Sequence, residues 1–427
     1  MAGLEQARQG GRIAATISDA IGDLGAAALN LTGFSPHPQP GGQLNVERDG
    51  KSLDLLEQAV AELPESDEVV PVLEIELEWL TGSFRPSDAS LKKATSLLEQ
   101  AIKSSKANVS AMATAIFLRR FGRVVPPERW IELTRTAVTV QTTIRERLML
   151  AFLEHRALLE IGLDEQAERL IRTVAGDSER VGNQADAGAA RTLAIRHHLW
   201  IGDLHSAARL LNDGPSDDPD RRHDGGHLVT VDVEQRAELG RLLARNNLLD
   251  AVMEELGQSP VDPATGAALL SQAGRYEQAA DLLEQAVEDL STGREQPVDA
   301  ATMARIAVAA NVLFHEQAAA AVVEPLQRLG DELLVTNNSA VLLGPASYYA
   351  GLAAHTIGRH RQANEALDSA VVASLSKGGK PMAIQTLVAQ AKLAADCTER
   401  DDVESLLRQA KELAVGLDIH WLDVQVV

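Results

Sequence analysis

Small and large apolar residues recur along most of the chain at the spacing that an α-helix turns to one side. In GLAAHTIGRHRQANEALDSA, Gly351 and Gly358 lie seven residues apart, and Ala363, Leu367 and Ala370 follow. Intervals of three, four and seven share one helical face. The pattern predicts a helix ending near Ile357, a turn at Gly358-Arg359 and a second, antiparallel helix. Small residues at the seam let the two helices approach closely, and Leu367 fills the space between them. The same grammar recurs at Gly274, Tyr276, Ala279, Leu283 and Ala286, at Gly162, Ala167 and Ile171, and at Gly202, Leu204, Ala207 and Leu211. Looser copies lie at Ala94, Leu98 and Ala101, at Trp130, Thr134 and Ala137, and at Val403, Leu407 and Ala410. Residues 299–330 give another pair, with its turn near Phe314 to Glu316 and Pro325 near the end of its second helix.

The first seam residue of each second helix is Ala94, Trp130, Ala167, Ala207, Ala251, Ala279, Ala319, Ala363 and Val403, with steps of 36, 37, 40, 44, 28, 40, 44 and 40. Periods of this size mean stacked helix pairs, each needing its neighbours to cover its apolar faces. The expected fold is all-α, an α-solenoid of eight to ten stacked antiparallel helix pairs. Residues 1–51 are read as an N-terminal helical segment and a Pro/Gly-rich linker, 52–416 as the repeat array and 417–427 as a C-terminal tail that self-association could use. Residues 212–227, NDGPSDDPDRRHDGGH, read as an exposed loop, and 331–344 as a connection between pairs.

Composition narrows the function. Aromatics are 3% of the chain and apolar residues 45%, a mix suited to close-packed helices. Acids outnumber bases 61 to 40, a formal charge of −21, which disfavours direct nucleic-acid binding. The single cysteine, Cys397, excludes an internal disulfide and a cysteine-based zinc cage and fits a cytoplasmic location. No window approaches 18 uncharged apolar residues, so no membrane span is expected. Arginine outnumbers lysine 31 to 9, which with the abundant alanine is associated with GC-rich bacterial genomes.

The glycine near the end of a first helix, the Gly-x-Tyr turn and the Ala-Leu-Ala seam resemble the tetratricopeptide (TPR) repeat family. Gly351, Gly358, Ala363, Leu367, Ala370, Gly274, Tyr276, Ala279, Leu283 and Ala286 carry the likeness, and Ala59 and Pro64 match the end of a repeat. Steps near 40 exceed that family's usual 34. More narrowly, residues 344–395 resemble the terminal helical repeats of LuxR- and MalT-type ATPase regulators and related nucleotidyl cyclases. The sequence holds no G-x-x-x-x-G-K-[ST] phosphate loop, and no basic helix-turn-helix follows Gly416. ATPase activity and DNA binding therefore do not carry over, and the expectation is the sensor or scaffold part alone.

No catalytic constellation or cofactor fingerprint stands out, so no enzyme, cofactor or metal is expected. His223 and His227, near Asp217, Asp218 and Asp220, are a conceivable cation loop weighed against a plain solvated one. Acids on helices are read as solvent-facing charge, and Trp79, Trp130, Trp200 and Trp421 as packing residues. The resemblance implies a partner-binding groove on the first helices, where Arg156, Arg196, Tyr348 and His355 fall. Arginines there suit a carboxylate or an acidic segment. The expected function is a non-enzymatic scaffold or sensor for a protein or peptide in a bacterial regulatory system. The alternative is the detached ligand-sensing part of a LuxR/MalT-type transcriptional regulator.

Overall fold

The computed structural model describes residues 68–81, 87–104, 106–139, 141–212, 226–243, 262–292, 300–336, 339–397 and 400–417, with residues 56, 57, 59–61, 63 and 419. The N-terminal helical segment and linker, the Asn246-Asn247 turn, Ala251 and nearly all of the tail lie outside them. The all-α expectation holds: the described residues are helical apart from connections, one 3-10 turn and one two-stranded sheet. The chain divides into two units. Residues 1–158, 169–190 and 217–230 form the first, and residues 159–168, 191–216 and 231–427 the second.

In the first unit, α1 (Val70–Thr81) packs on α2 (Asp88–Ile102) and α3 (Ala107–Phe121), and α3 packs on α4 (Pro127–Ala137). Local chemistry sets the ends. The Ser87 hydroxyl accepts the Ser90 amide at 3.1 Å and caps α2. Pro127 opens α4, where its missing N–H costs nothing. Ala111 and Ala115 of α3 share a core with Ala137 and with Leu150 of α5 (Ile144–Glu160). Glu76, buried in α1, is bridged by Arg120 of α3, with Nε at 3.0 Å from Oε2. Helices α5, α6 (Asp164–Val181) and α7 (Gln184–Ile201) carry residues of both units.

The second unit continues with α8 (Leu204–Asn212), most of α9 (Gly226–Leu242), α10 (Pro263–Gln272), α11 (Tyr276–Thr292), α12 (Ala300–Leu313), α13 (Glu316–Gln327), α14 (Ala346–Thr356), α15 (His360–Ser376), α16 (Lys380–Asp396) and α17 (Arg400–Ala414). From α10 to α17 each helix packs on the next, and α10, α12, α14 and α16 also touch in series. The two kinds of helix differ in their surroundings. In α14 every residue from Ala346 to Ala354 is buried, whereas α15 buries mainly the stripe Ala363, Leu367, Ala370 and Ala373. Ala94, Ala167, Ala207, Ala279, Ala319 and Ala363, six of the expected seam residues, have no exposed surface. A Cβ added to Gly351 would meet Leu367 Cγ at 2.7 Å, so the glycine is what allows α14 and α15 to close on that leucine.

The turns between paired helices share one backbone solution. Gly162, Gly202, Gly274 and Gly358 each sit five residues before a seam alanine with φ between 70° and 87°, the left-handed region open to glycine. In the α12–α13 pair that place is taken by Phe314, at φ 54° and 80% exposed. A bulky residue there carries backbone strain and gains almost no packing in return.

The expected connection at 331–344 is in fact a hairpin. β1 (Leu333–Val335) and β2 (Leu342–Pro345) pair antiparallel, with Leu333 opposite Pro345, and lie against α12, α14 and α15. Its base is tied to distant parts of the second unit. Glu160 accepts the Leu333 amide at 2.6 Å and forms an ion pair with Lys377, whose ammonium also donates to the Asp331 carbonyl. Trp200 Nε1 donates to the Lys377 carbonyl at 2.7 Å. An apolar core joins Ile195 and Leu199 of α7 and Leu239 of α9 to Ile384 and Val388 of α16. These ties span up to 177 residues, whereas stacking between neighbouring repeats alone produces none so long.

Three substitutions test this packing by urea unfolding. Gly351→Ala is expected to destabilise by about 1 kcal/mol, the cost of overpacking minus the better helix propensity of alanine. Adding Leu367→Ala should then cost less than in the wild-type background, because the clash has gone. Phe314→Gly is expected to raise stability by about 0.5–1 kcal/mol, since relief of the left-handed strain exceeds the entropy lost by glycine.

Candidate functional site

The second unit holds a cavity of about 90 Å³ where α9, α10, α12, α14, α16 and the hairpin converge. Helical spacing explains which side chains reach it. Glu234, Glu238 and Arg241 stand at i, i+4 and i+7 on α9, and Thr265, Ala268 and Gln272 at i, i+3 and i+7 on α10. Arg305 comes from α12 as the one charged residue of AATMARIAVAANVL. Tyr349 of α14, Gln385 of α16 and Thr336 and Val341 of the hairpin complete the wall.

The cavity's charges are arranged in pairs. Arg305 Nη2 donates to Glu234 Oε1 at 2.8 Å, and Nη1 lies 3.4 Å from Oδ2 of Asp262, the residue that caps α10. Arg241 grips Glu238 through Nε at 2.9 Å and through Nη2, and its Nη1 donates to Gln385 Oε1 at 2.9 Å. Burial works against the charge of Arg241, but Glu238 more than reverses this and holds the guanidinium protonated. Burial pushes the Tyr348 phenol up to about 12 and the Tyr349 phenol higher still, so both are neutral donors at physiological pH. Tyr349 Oη donates to the Leu343 carbonyl at 2.6 Å.

The four residues expected on an open groove fall in different settings. Arg156 belongs to the first unit, is half-buried and stacks over the Trp130 ring at 5.3 Å. The other three belong to the second unit. Arg196 is only 1% exposed, and its Nη1 donates to the Ser339 carbonyl at 3.1 Å. The hairpin loop lies on it and takes up the hydrogen bond an outside partner would have used. Tyr348 is enclosed because α14 is buried all round, packs edge-on against Tyr349 and is hydrogen-bonded by Gln385 beside the cavity. His355, in the last turn of α14, is half-buried with Nε2 2.8 Å from Asp396 Oδ2.

The reading of helix acids as solvent-facing charge is corrected at several places. Glu76, Glu154 and Asp186 are buried, and Glu160 and Glu234 nearly so, each facing a basic side chain. Low-dielectric surroundings require that pairing. Sequence reasoning missed Glu234, Arg241 and Arg305, although a lone arginine in an alanine-rich helix is a readable sign of a buried, paired charge. Trp130 and Trp200 are packing residues as expected, and both indole N–H groups donate to backbone carbonyls. Trp421 and the side chain of Trp79 lie outside the described residues, as do His223, Asp217, Asp218 and Asp220; His227 falls in the first turn of α9. Among the described residues no three His, Cys, Asp or Glu side chains are grouped to hold a metal ion, and no helix is long and apolar enough to cross a membrane. No protein-family model matches the chain, and no curated protein is similar to it in sequence.

His197, buried in α7, has its pKa lowered to about 4, first by burial and then by His198 and Arg196. The unfolded chain binds this proton near pH 6.5 and the folded chain only near 4. Its contribution to stability is therefore complete above 6.5 and falls as the pH drops towards 4, by about 3 kcal/mol in total. Urea unfolding of the wild type at pH 7 and 4.5 should show this loss, and His197→Gln should flatten the slope between the two.

Proposed function

We propose that the chain is a non-enzymatic, tetratricopeptide-like helical-repeat module, stacked as an α-solenoid, that holds a protein or peptide partner in a polar cleft on its first helices. One observation carries the reading. The helices buried on every face, α10, α12, α14 and α16, converge with α9 on a cavity whose wall holds two arginines and two glutamates. A row of helices that needed only to pack has no use for charge there, because a buried ion pair is at best neutral for stability against apolar side chains. Positioned polar groups in a concave, mostly apolar wall are what recognition requires. The setting proposed is the bacterial cytoplasm, in a regulatory system.

A second reading has its own support. The cavity is small, about 90 Å³, which suits a small effector better than an extended peptide. The chain would then be the ligand-sensing part of a LuxR/MalT-type regulator, acting through a separate ATPase or DNA-binding subunit.

Affinity capture from lysate of the native cell, read by mass spectrometry at moderate salt, tests the first reading. It expects one near-stoichiometric protein that is lost with Gln272→Trp, a half-buried wall residue whose enlargement fills the cleft. The helical circular dichroism and melting temperature of that variant should match the wild type. Capture unaffected by Gln272→Trp would remove the cleft from the interface. Capture of an ATPase or a DNA-binding regulator would favour the second reading.

A further inference from the structure

The cavity's charges say what it turns away. Arg305 is engaged by Glu234 and Asp262, and Arg241 by Glu238 and Gln385. An anion would have to displace a carboxylate from one of these charge-assisted bonds and leave that carboxylate unpaired where water is scarce. A cation fares no better. Both oxygens of Glu238 hold Arg241, and Asp262 accepts from Thr265 and Arg305. Glu234 Oε1 holds Arg305, and Glu234 Oε2 is covered by protein atoms. An ion of either sign would shed its water in the cavity and meet no free counter-charge.

An uncharged group meets a different wall. Ala268, Leu269, Ala304, Val308, Val341 and Leu343 supply apolar surface. Most neutral polar side chains beside them are engaged elsewhere. Thr265 donates to Asp262, Thr336 accepts the Val341 amide, Gln385 bonds Arg241 and Tyr348, and Tyr349 donates to Leu343. Gln272, the half-buried last residue of α10, is the exception. Among the described residues none hydrogen-bonds its side chain, which can both donate and accept. Size sets the last limit. A cavity of about 150 Å³ holds a benzene ring, so the 90 Å³ here takes about four heavy atoms.

The geometry points to a neutral subsite: the cavity takes a short uncharged amide or alcohol, with the Gln272 amide as its hydrogen-bond partner. The paired charges around it keep ions out. The group is supplied either by a small free molecule or by an asparagine or threonine side chain of a peptide partner. This replaces the sequence-based expectation of a carboxylate or acidic segment as the preferred ligand. It rests on the reading of the cleft as the binding site.

Saturation-transfer NMR titration of the full chain tests it. The free probes are propionamide, n-propanol, propionate and n-propylammonium, and the peptide probes are blocked pentapeptides with Asn, Asp or Lys between glycines. Asn and Asp match in size and branching, so that pair isolates charge. The neutral probes are expected to bind at least tenfold more tightly than the charged ones, and Gln272→Trp should weaken them at least tenfold by filling the space. Gln272→Leu keeps the bulk of the wall, removes the amide and should weaken the amide probes about threefold to tenfold. That variant decides if Gln272→Trp unfolds. Binding of the Asn peptide assigns the group to a partner's side chain, and binding of the free probes alone assigns it to a small molecule. No neutral probe binding below about 10 mM, equal binding of the charged probes, or amide binding unchanged in both variants would overturn the neutral subsite. If the neutral probes fail while Gln272→Trp still abolishes partner capture, the cleft reading stands and only the ligand chemistry falls. If capture also survives Gln272→Trp, both fall.

Discussion

Close approach of paired helices is the constraint on which the rest depends. Two helices can bury a shared face at short range only where the facing side chains are alanine or glycine, and the seams place fully buried alanines at those points. Gly351 shows the tolerance: one extra carbon would fall within 2.7 Å of Leu367. With the second helix held so near, the first is covered on that side, while its neighbours in the series cover the others. Burial on every face of α14 and α16 follows, and with it the condition that any charge on those first helices must find a partner inside the protein.

The hairpin answers that condition in two places. Gln235 of α9, fully buried, donates to the carbonyls of Thr192 and Ala340 at 2.9 Å, and Arg196 of α7 donates to the neighbouring carbonyl of Ser339. Side-chain donors on two helices thus hold successive main-chain carbonyls in the turn of the hairpin, where Ser339 has φ 59°. Here the gripped segment belongs to the chain itself. The hairpin is then a part of the wall, and the space left beside it is the cavity bounded by Thr336, Val341 and Leu343. The Glu160–Lys377 pair fixes the base of the same hairpin, and removing one partner of such a pair would leave a buried charge at a cost of about 3–5 kcal/mol.

What was legible in the sequence was the periodic part. The helix ends near Ile357 and Leu313, the Gly358 turn and the seam alanines follow from spacing, which acts within a few residues. The hairpin was not legible. Its strands hold three and four residues, too few for alternation to register, and its partners Glu160, Arg196 and Gln235 lie 173, 143 and 105 residues away. Arg196 and Tyr348 fall on α7 and α14, but spacing along one helix carries no information about what another part of the chain lays over it. Glu234 and Arg305 lie 71 residues apart, so each looked like ordinary surface charge until the fold brought them within 2.8 Å.

The separation of roles between the two kinds of helix leads to a last step. Second helices such as α15 keep a wet face rich in charge, where an ion pair such as Arg361–Glu365 is exposed and contributes little. Some charges of the first helices, Arg305 and Glu234 among them, sit where water is scarce and electrostatic interactions are strong. A ligand that met the second helices would exchange one solvated ion for another and gain almost nothing. Charge therefore acts more strongly at buried first-helix pairs such as Arg305–Glu234 than on the exposed faces of the second helices.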